Sequence, residues 1–275
     1  MKKTLVIYHG NCIDGFVAAW ACWKQFGDGA EYFAAQYGSA DAPVELPDVS
    51  GRDVVMVDFC TGRGQLLELK AKANSLLVLD HHKTAEAACA GLSFCVFDME
   101  QSGAGLAFRH FFPAEPEPWW VSYAEDRDLW RFKLPRSREV NAFLSAIPME
   151  SFALWYSEVV FLEAGSAAGR GKGVLSYVDR YVAEMSRQAR RTFFAGHKEI
   201  PIVNAPYINT SELVGALAEG AAFAVGWFQR GDGQFQYSLR SRGPDGVDVS
   251  EIAKGFGGGG HRNAAGFASR LPVHE

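Results

Sequence analysis

Asp80, His81 and His82 close the apolar run SLLVL at 75–79, and a second run, VVMV at 54–57, delivers Asp58 in the same way. A third run, TLVIY at 4–8, leads into His9, with Asp14 shortly after. Short runs rich in Val and Leu read as buried strands of a parallel sheet, and such sheets bind ligands beyond the carboxyl ends of their strands. Three strand ends therefore offer carboxylate and imidazole groups to one crevice, which is the donor set of a metal centre. Hard divalent cations take carboxylates, and added imidazole shifts the preference toward manganese or another first-row ion. Any one of these residues alone reads better as a helix cap or a surface charge. The set does not, because adjacent histidines behind an Asp at a strand end are uncommon and two further strand ends match. Asp126 in AEDRDLW follows another helical pattern and adds a carboxylate, with Asp128 as the alternative.

A second constellation lies near the end of the chain. In GFGGGGHRNAAGF at 255–267, Gly258, Gly259 and Gly260 precede His261. Glycines let backbone N–H groups approach an anion closely, and a following His adds a charge-assisted hydrogen bond. A hinge would account for the glycines alone, but it would not require the histidine. Arg240 in YSLRS is a further candidate phosphate ligand, against the bland alternative of an exposed strand arginine.

The elements that must position these groups follow from the hydropathy pattern. Apolar runs at 4–8, 54–59, 75–80 and 94–98 alternate with helical patterns at about 14–26, 62–73, 84–90 and 103–112, a βαβα order. Asp14 is a plausible N-cap for the first helix, and QSGAG at 101–105 opens another with N–H groups able to take a cap or a phosphate. Beyond about 135 the strand signal stops. AGSAAGRGKG at 164–173 is a linker candidate, and 174–194 reads as one long amphipathic helix. Strands return at 200–205, 222–229 and 235–241, with a helix at 211–220, which describes a small α+β unit.

At 275 residues the chain can build one large or two modest cores, and 48% hydrophobic with 21% charged residues describes an ordinary globular protein. No apolar stretch approaches the length of a membrane span, and the opening MKKTLVIYHGN reads as a first strand rather than a secretory leader. Five cysteines without a CxxC pair suit a reducing compartment, so a cytoplasmic location is expected. The net charge of −5 argues against a broad footprint on duplex nucleic acid, leaving a small or single-stranded phosphorylated partner. No residue pattern specifies an oligomer.

Together these residues resemble the DHH phosphoesterase superfamily, in which an N-terminal DHH domain is paired with a C-terminal DHH-associated domain. YHGNCIDG at 8–15, VMVDF at 55–59, VLDHHKT at 78–84, AEDRDLW at 124–130 and GGGGHRNAAG at 257–266 occur in the family's order and cover most of the chain. The likeness is to the branch of nano-RNases and small phosphohydrolases rather than to the long RecJ-type exonucleases. It implies an α/β fold with a parallel-sheet DHH domain over 1–165, a linker helix over 166–195 and a smaller α+β domain over 196–275, with the active site in the cleft between them.

The resemblance further implies that His9, Asp14, Asp58, His81 and Asp126 hold two divalent ions, Mn2+ before others, with Asp58 bridging. Asp80 would orient the site from behind, His82 would contact the scissile phosphate, and Arg240, Gly258, Gly259, Gly260 and His261 would hold a second phosphate. The implied reaction is two-metal hydrolysis without a Ser or Cys nucleophile, on a short oligonucleotide, a cyclic dinucleotide or 3′-phosphoadenosine phosphate. A manganese pyrophosphatase or polyphosphatase shares the DHH domain but lacks the GGGGH signature; a nucleotide-binding regulator with decayed metal chemistry is the reading from another class. One departure stands out. The family's first motif carries two Asp residues two positions apart, and here Cys12 replaces the earlier one. Cysteine is softer and must lose a proton to bind, so the first metal position is expected to differ in strength or selectivity.

Overall fold

The structure, a computed structural model, describes residues 3–37, 45–243 and 246–273. They divide into two compact units, one comprising Met1–Gln36 and Leu46–Ser176 and the other built mainly from Tyr177–Glu275. In the first unit, β1 (Thr4–His9), β2 (Glu31–Ala35), β3 (Asp53–Val57), β4 (Ser75–Asp80) and β5 (Cys95–Phe97) form an all-parallel sheet in the order β2-β1-β3-β4-β5. The chain leaves β1 for β2 on one side and returns to β3 on the other, so strand order reverses at β1. A crevice opens at the carboxyl ends of the strands at such a reversal. His9, Asp58 and Asp80 all lie at or just beyond those ends.

The helices of this unit are α1 (Ile13–Phe26), α2 (Arg63–Lys72), α3 (Glu86–Cys89), α4 (Gly103–Phe111), α5 (Trp119–Asp128), α6 (Ser137–Ala146) and α7 (Phe152–Val159). Every residue of α1 from Asp14 to Cys22 is buried. Its alanines bring α4 close, while Trp20 stacks on Phe108 at 6.4 Å and meets the edge of Trp120 at 5.4 Å. Burying a Phe side chain contributes about 1.5–3 kcal/mol, so this aromatic cluster is a principal anchor for the helices that carry the site. The edge strand β2 was not anticipated. EYFAA opens with Glu and closes on two alanines, all poor strand formers, and only its pairing with β1 makes it a strand.

α8 (Ala164–Ser186) runs through the stretch expected to be a linker, and the chain from Arg190 to Phe194 is a strand, β6, rather than the end of a helix. The glycines at 165–173 are compatible with a helix because part of it is packed: Ala167 and Ala168 are buried, and a side chain at Gly171 would collide with the Glu139 carbonyl on α6. The second unit adds β7 (His197–Asn204), α9 (Thr210–Leu217), β8 (Ala224–Gln229), β9 (Phe235–Arg240), α10 (Val249–Gly255), β10 (Gly259–His261) and β11 (Ala264–Ser269). Its mixed sheet has the order β10-β11-β9-β8-β7-β6, with only β7 and β8 parallel. Phe267 stacks between Tyr237 and Phe256, at 4.6 and 4.4 Å, in the core beneath it. Among the described residues, no helix is long and apolar enough to cross a membrane.

Candidate metal centre

Asp58 is the first residue beyond β3 and adopts φ 54°, a left-handed conformation that costs a non-glycine residue of order 1–3 kcal/mol. Its amide donates to the Leu79 carbonyl at 2.9 Å, fastening this turn to β4. The conformation aims a carboxylate that is 2% exposed along two directions. Oδ1 lies 3.0 Å from His81 Nε2 and 3.8 Å from His82 Nδ1. Oδ2 lies 3.5 Å from His9 Nδ1 and accepts from the Cys12 thiol at 3.5 Å. Each oxygen of one carboxylate thus meets its own set of donors.

On the Oδ1 side, His81 Nε2 also stands 3.5 Å from Asp128 Oδ2 and 3.7 Å from Asp14 Oδ2. Asp14 is fixed from the opposite direction, accepting from the amides of Gly103 at 2.6 Å and Ala104 at 3.1 Å. The neighbouring amides of α4 are also taken, Ser102 by Glu125 at 3.0 Å and Gly105 by the Ser102 hydroxyl at 3.3 Å. QSGAG therefore binds the protein's own carboxylates at a helix N-terminus, where negative charge is favoured, instead of a phosphate. The cap of α1 differs from expectation as well. Cys12, not Asp14, is the N-cap, its sulfur accepting from the Gly15 amide at 3.2 Å.

Asp126 and Asp128 both lie on α5, but the structure brings only Asp128 to His81. The Asp126 carboxylate instead accepts from the amides of Lys133 at 2.8 Å and Leu134 at 3.3 Å, closing the turn after α5. Residues two apart on a helix point roughly 200° away from each other, so one of the pair had to face elsewhere. Asp126 is itself among the buried residues of α5, so burial periodicity gave no signal for Asp128. Glu125, which the sequence reading passed over, supports the α4 terminus and is gripped by both terminal nitrogens of Arg109, at 2.8 and 3.1 Å. Asp80 lies behind, its Oδ1 2.8 Å from His82 Nδ1 and 2.9 Å from the His81 amide.

The electrostatics of the cluster are those of a cation site. Burial drives the Asp14 carboxyl well above the usual range, with the charges of Asp58 and Asp128 adding to the effect. Burial would also raise Asp58, but hydrogen bonds from His81 and His9 and the charges of His82 and His81 hold it well below. Burial disfavours a charged His81, yet the Asp58 hydrogen bond and the charges of Asp128, Asp58 and Asp14 raise its pKa to about 10. Protons on His81 and Asp14 thus balance the surplus negative charge, and a divalent ion among the same atoms would do so equally well. Asp128 Oδ2 is buried and makes no hydrogen bond among the described residues, facing His81 Nε2 at 3.5 Å across the cluster. Among the described residues of the first unit, two groups have donor atoms close enough to share an ion, Asp14 with Asp58 and His81, and His9 with Asp58 and His82. Their oxygen and imidazole donors fit Mn2+ or Mg2+.

In the second unit, Arg240 on β9 and His261 on β10 are both registered with Ala264 on the intervening β11. Directly paired residues project from the same face, so the two basic groups flank a methyl group two strands apart. The Arg240 guanidinium donates to Ser211 Oγ at 2.8 Å and to the Leu239 carbonyl at 2.8 Å. The glycine run also has a packing reason: a side chain at Gly258 would strike the Gly266 carbonyl, and Gly260 has φ 138°.

Relatives agree with this architecture. Over 292 residues the chain is 30% identical to uncharacterized protein R106 of Acanthamoeba polyphaga mimivirus, covering 96% of this chain and 67% of that protein. The DHH domain of a protein described as belonging to a family of ribosomal proteins superposes with a TM-score of 0.55 at 14% identity, covering 96% of this chain and 82% of its own. RecJ of Thermus thermophilus in complex with Mn2+ gives 0.50 at 14% identity, covering 97% of this chain but 49% of RecJ. No family model matches the chain. The fold is that of the DHH domain, built around a parallel sheet that presents His and Asp at its strand ends. The DHH triplet at Asp80–His82 stands at a strand end of this shared fold, and by sequence the chain belongs to one family with protein R106.

Proposed function

We propose that the chain is a metal-dependent phosphohydrolase that cleaves a phosphate ester of a short nucleotide substrate. The observation that carries this reading is the division of Asp58, whose Oδ1 meets His81 while its Oδ2 meets His9. Two divalent ions, Mn2+ before Mg2+, would be held by His81, Asp14, Asp128 and Asp58 on one side and by Asp58 and His9 on the other. Bound there, the ions would neutralise phosphoryl oxygens and activate water for in-line attack at neutral pH.

The chain's own residues supply the geometry. Asp14 is locked by the α4 amides, so the donors hold their spacing without reorganising when substrate arrives. His82, oriented through Nδ1 by Asp80, contacts the scissile phosphate and stabilises charge on it or on the leaving oxygen. Arg240 and His261, with Gly258, Gly259 and Gly260, hold a further phosphate and so favour substrates that carry more than one. Short oligonucleotides, cyclic dinucleotides and 3′-phosphoadenosine phosphate have that form. Neither a membrane nor duplex DNA is a partner in this reading, and the cytoplasm is the compartment it suits.

The test is a screen of manganese-loaded protein against pyrophosphate, 3′-phosphoadenosine phosphate, cyclic dinucleotides and very short RNAs. Release of nucleoside monophosphates from the phosphodiesters is expected, and the products give the polarity of cleavage. Hydrolysis of pyrophosphate alone would replace this reading with an inorganic pyrophosphatase or polyphosphatase. Binding of less than one equivalent of manganese without any cleavage of a phosphodiester would leave a nucleotide-binding regulator.

A further inference from the structure

Three donor atoms at the end of β1 form a nearly equilateral triangle. Cys12 Sγ is 3.4 Å from His9 Nδ1 and 3.5 Å from Asp58 Oδ2, and the latter two atoms are 3.5 Å apart. A tetrahedral first-row ion with bonds of about 2.3 Å to sulfur and roughly 2.0–2.2 Å to nitrogen and oxygen requires donor separations of roughly 3.4–3.6 Å. We propose that Cys12 is a direct ligand of the cation held by His9 and Asp58, and that its sulfur makes that position prefer a thiophilic ion, Zn2+ or Fe2+, over Mg2+ and Mn2+. The inference rests on the metal-centre reading above and adds to it a donor and a selectivity.

Two structural explanations for a cysteine at this position fall short. As an N-cap it is a poor choice, because Ser, Thr, Asp and Asn supply the helix amide with a better acceptor. As a packing residue it is misplaced, because its sulfur is surrounded by His9 Nδ1, the His9 carbonyl, Asp58 Oδ2 and the Gly15 amide. Without an ion, burial and the charges of Asp58 and Asp14 keep the thiol protonated, and only the Gly15 amide works the other way. A cation among these atoms reverses that balance, and the N-terminus of α1 then helps to hold the thiolate. On ligation the S–H proton passes to solvent as the sulfur–metal bond forms. Selectivity follows from softness, since thiolate favours zinc and iron while carboxylate and imidazole on the other side of Asp58 accept the harder ions. The two positions that share Asp58 would differ in the metal they prefer.

Cobalt(II) substitution tests the assignment by absorption rather than by turnover. The expected wild-type complex shows both the visible ligand-field bands of bound cobalt and a near-ultraviolet thiolate-to-cobalt charge-transfer band. Cys12→Ser and Cys12→Asp should keep ligand-field bands and lose the charge-transfer band. In direct competition, the preference for Zn2+ over Mn2+ should fall about tenfold or more in both variants. Bound cobalt without a charge-transfer band in the wild type overturns cysteine ligation and leaves the His and Asp centre standing. A band that survives Cys12→Ser comes from another thiol and overturns it equally. Failure of the wild type to bind cobalt at all would sink the metal-centre reading along with this one.

Discussion

Gly103 lies directly against the Asp58 side chain. A Cβ on Gly103 would stand 2.8 Å from both Asp58 Cγ and Oδ1 and nearer still to its Cβ, closer than real carbon atoms approach. The α4 terminus therefore presses on the same carboxylate that faces both donor sets, while its amides hold Asp14. Helix and candidate metal centre are one construction, and the glycine is the joint.

Gly103→Ala should consequently act on metal binding before it acts on the fold. Either Asp58 turns or the helix end retreats from Asp14, and both disturb donor spacing. Overpacking of this kind costs about 1–3 kcal/mol of stability, and displaced ligand support costs roughly 10–100-fold in metal affinity. Titration calorimetry with Mn2+ and a denaturant curve on the same variant measure the two effects. Wild-type affinity in a folded variant would show that α4 does not set the geometry.

Asp128→Asn and Asp126→Asn should separate cleanly. Asp128 Oδ2 stands 3.5 Å from His81 Nε2, so its loss should weaken the ion on that side by about 10-fold or more. Asp126 closes a turn through two amides, so its loss should lower the unfolding midpoint, about 1–3 kcal/mol for bonds to a charged acceptor, with metal affinity nearly unchanged. The reverse pattern would return the ligand role to Asp126.

Much of this was legible in the sequence, for a reason particular residues make plain. β1, β3 and β4 are buried on both faces, so each is a short apolar run, and the residue ending each run is necessarily at the crevice. His9, Asp58 and Asp80–His82 could be found that way. The choice between Asp126 and Asp128 could not, because it depends on the rotation of α5, which packing against α4 and α6 decides. β2 is a strand only because β1 offers it an edge. The glycines of α8 resemble a linker until Glu139 is seen to need the space at Gly171. Cys12 looked like a defect in a motif, and only the folded chain puts its sulfur in a triangle with His9 and Asp58.

Metal-free protein should lose stability as the solution becomes alkaline. His81 has its pKa raised from the ordinary 6.5 to about 10 by the surrounding carboxylates. A group whose folded pKa is raised contributes stability that is fully present below the unfolded value and disappears as pH climbs through the folded one. After treatment with a chelator, the unfolding midpoint should therefore decline between about pH 7 and pH 10. His81→Gln should flatten the decline. A midpoint that holds steady in the wild type across this window would mean that His81 carries no proton there.

The proposed function divides the chemistry from the binding between His82 and Asp58, and single substitutions test that division. His82 reaches Asp58 Oδ1 only at 3.8 Å, while Asp80 holds its Nδ1 at 2.8 Å. His82→Ala should leave metal content close to the wild-type value and reduce turnover of a phosphodiester substrate by about 100- to 10,000-fold, the range of a lost proton-transfer or charge-stabilising group. Asp80→Asn should reproduce part of that loss, because an amide can keep the hydrogen bond but not the charge that fixes the ring. Asp58→Ala should lose both metal and turnover, since both donor sets depend on one carboxylate. Metal analysis beside single-turnover kinetics reads the two quantities separately, and equal metal loss in the His82 and Asp58 variants would make His82 a ligand.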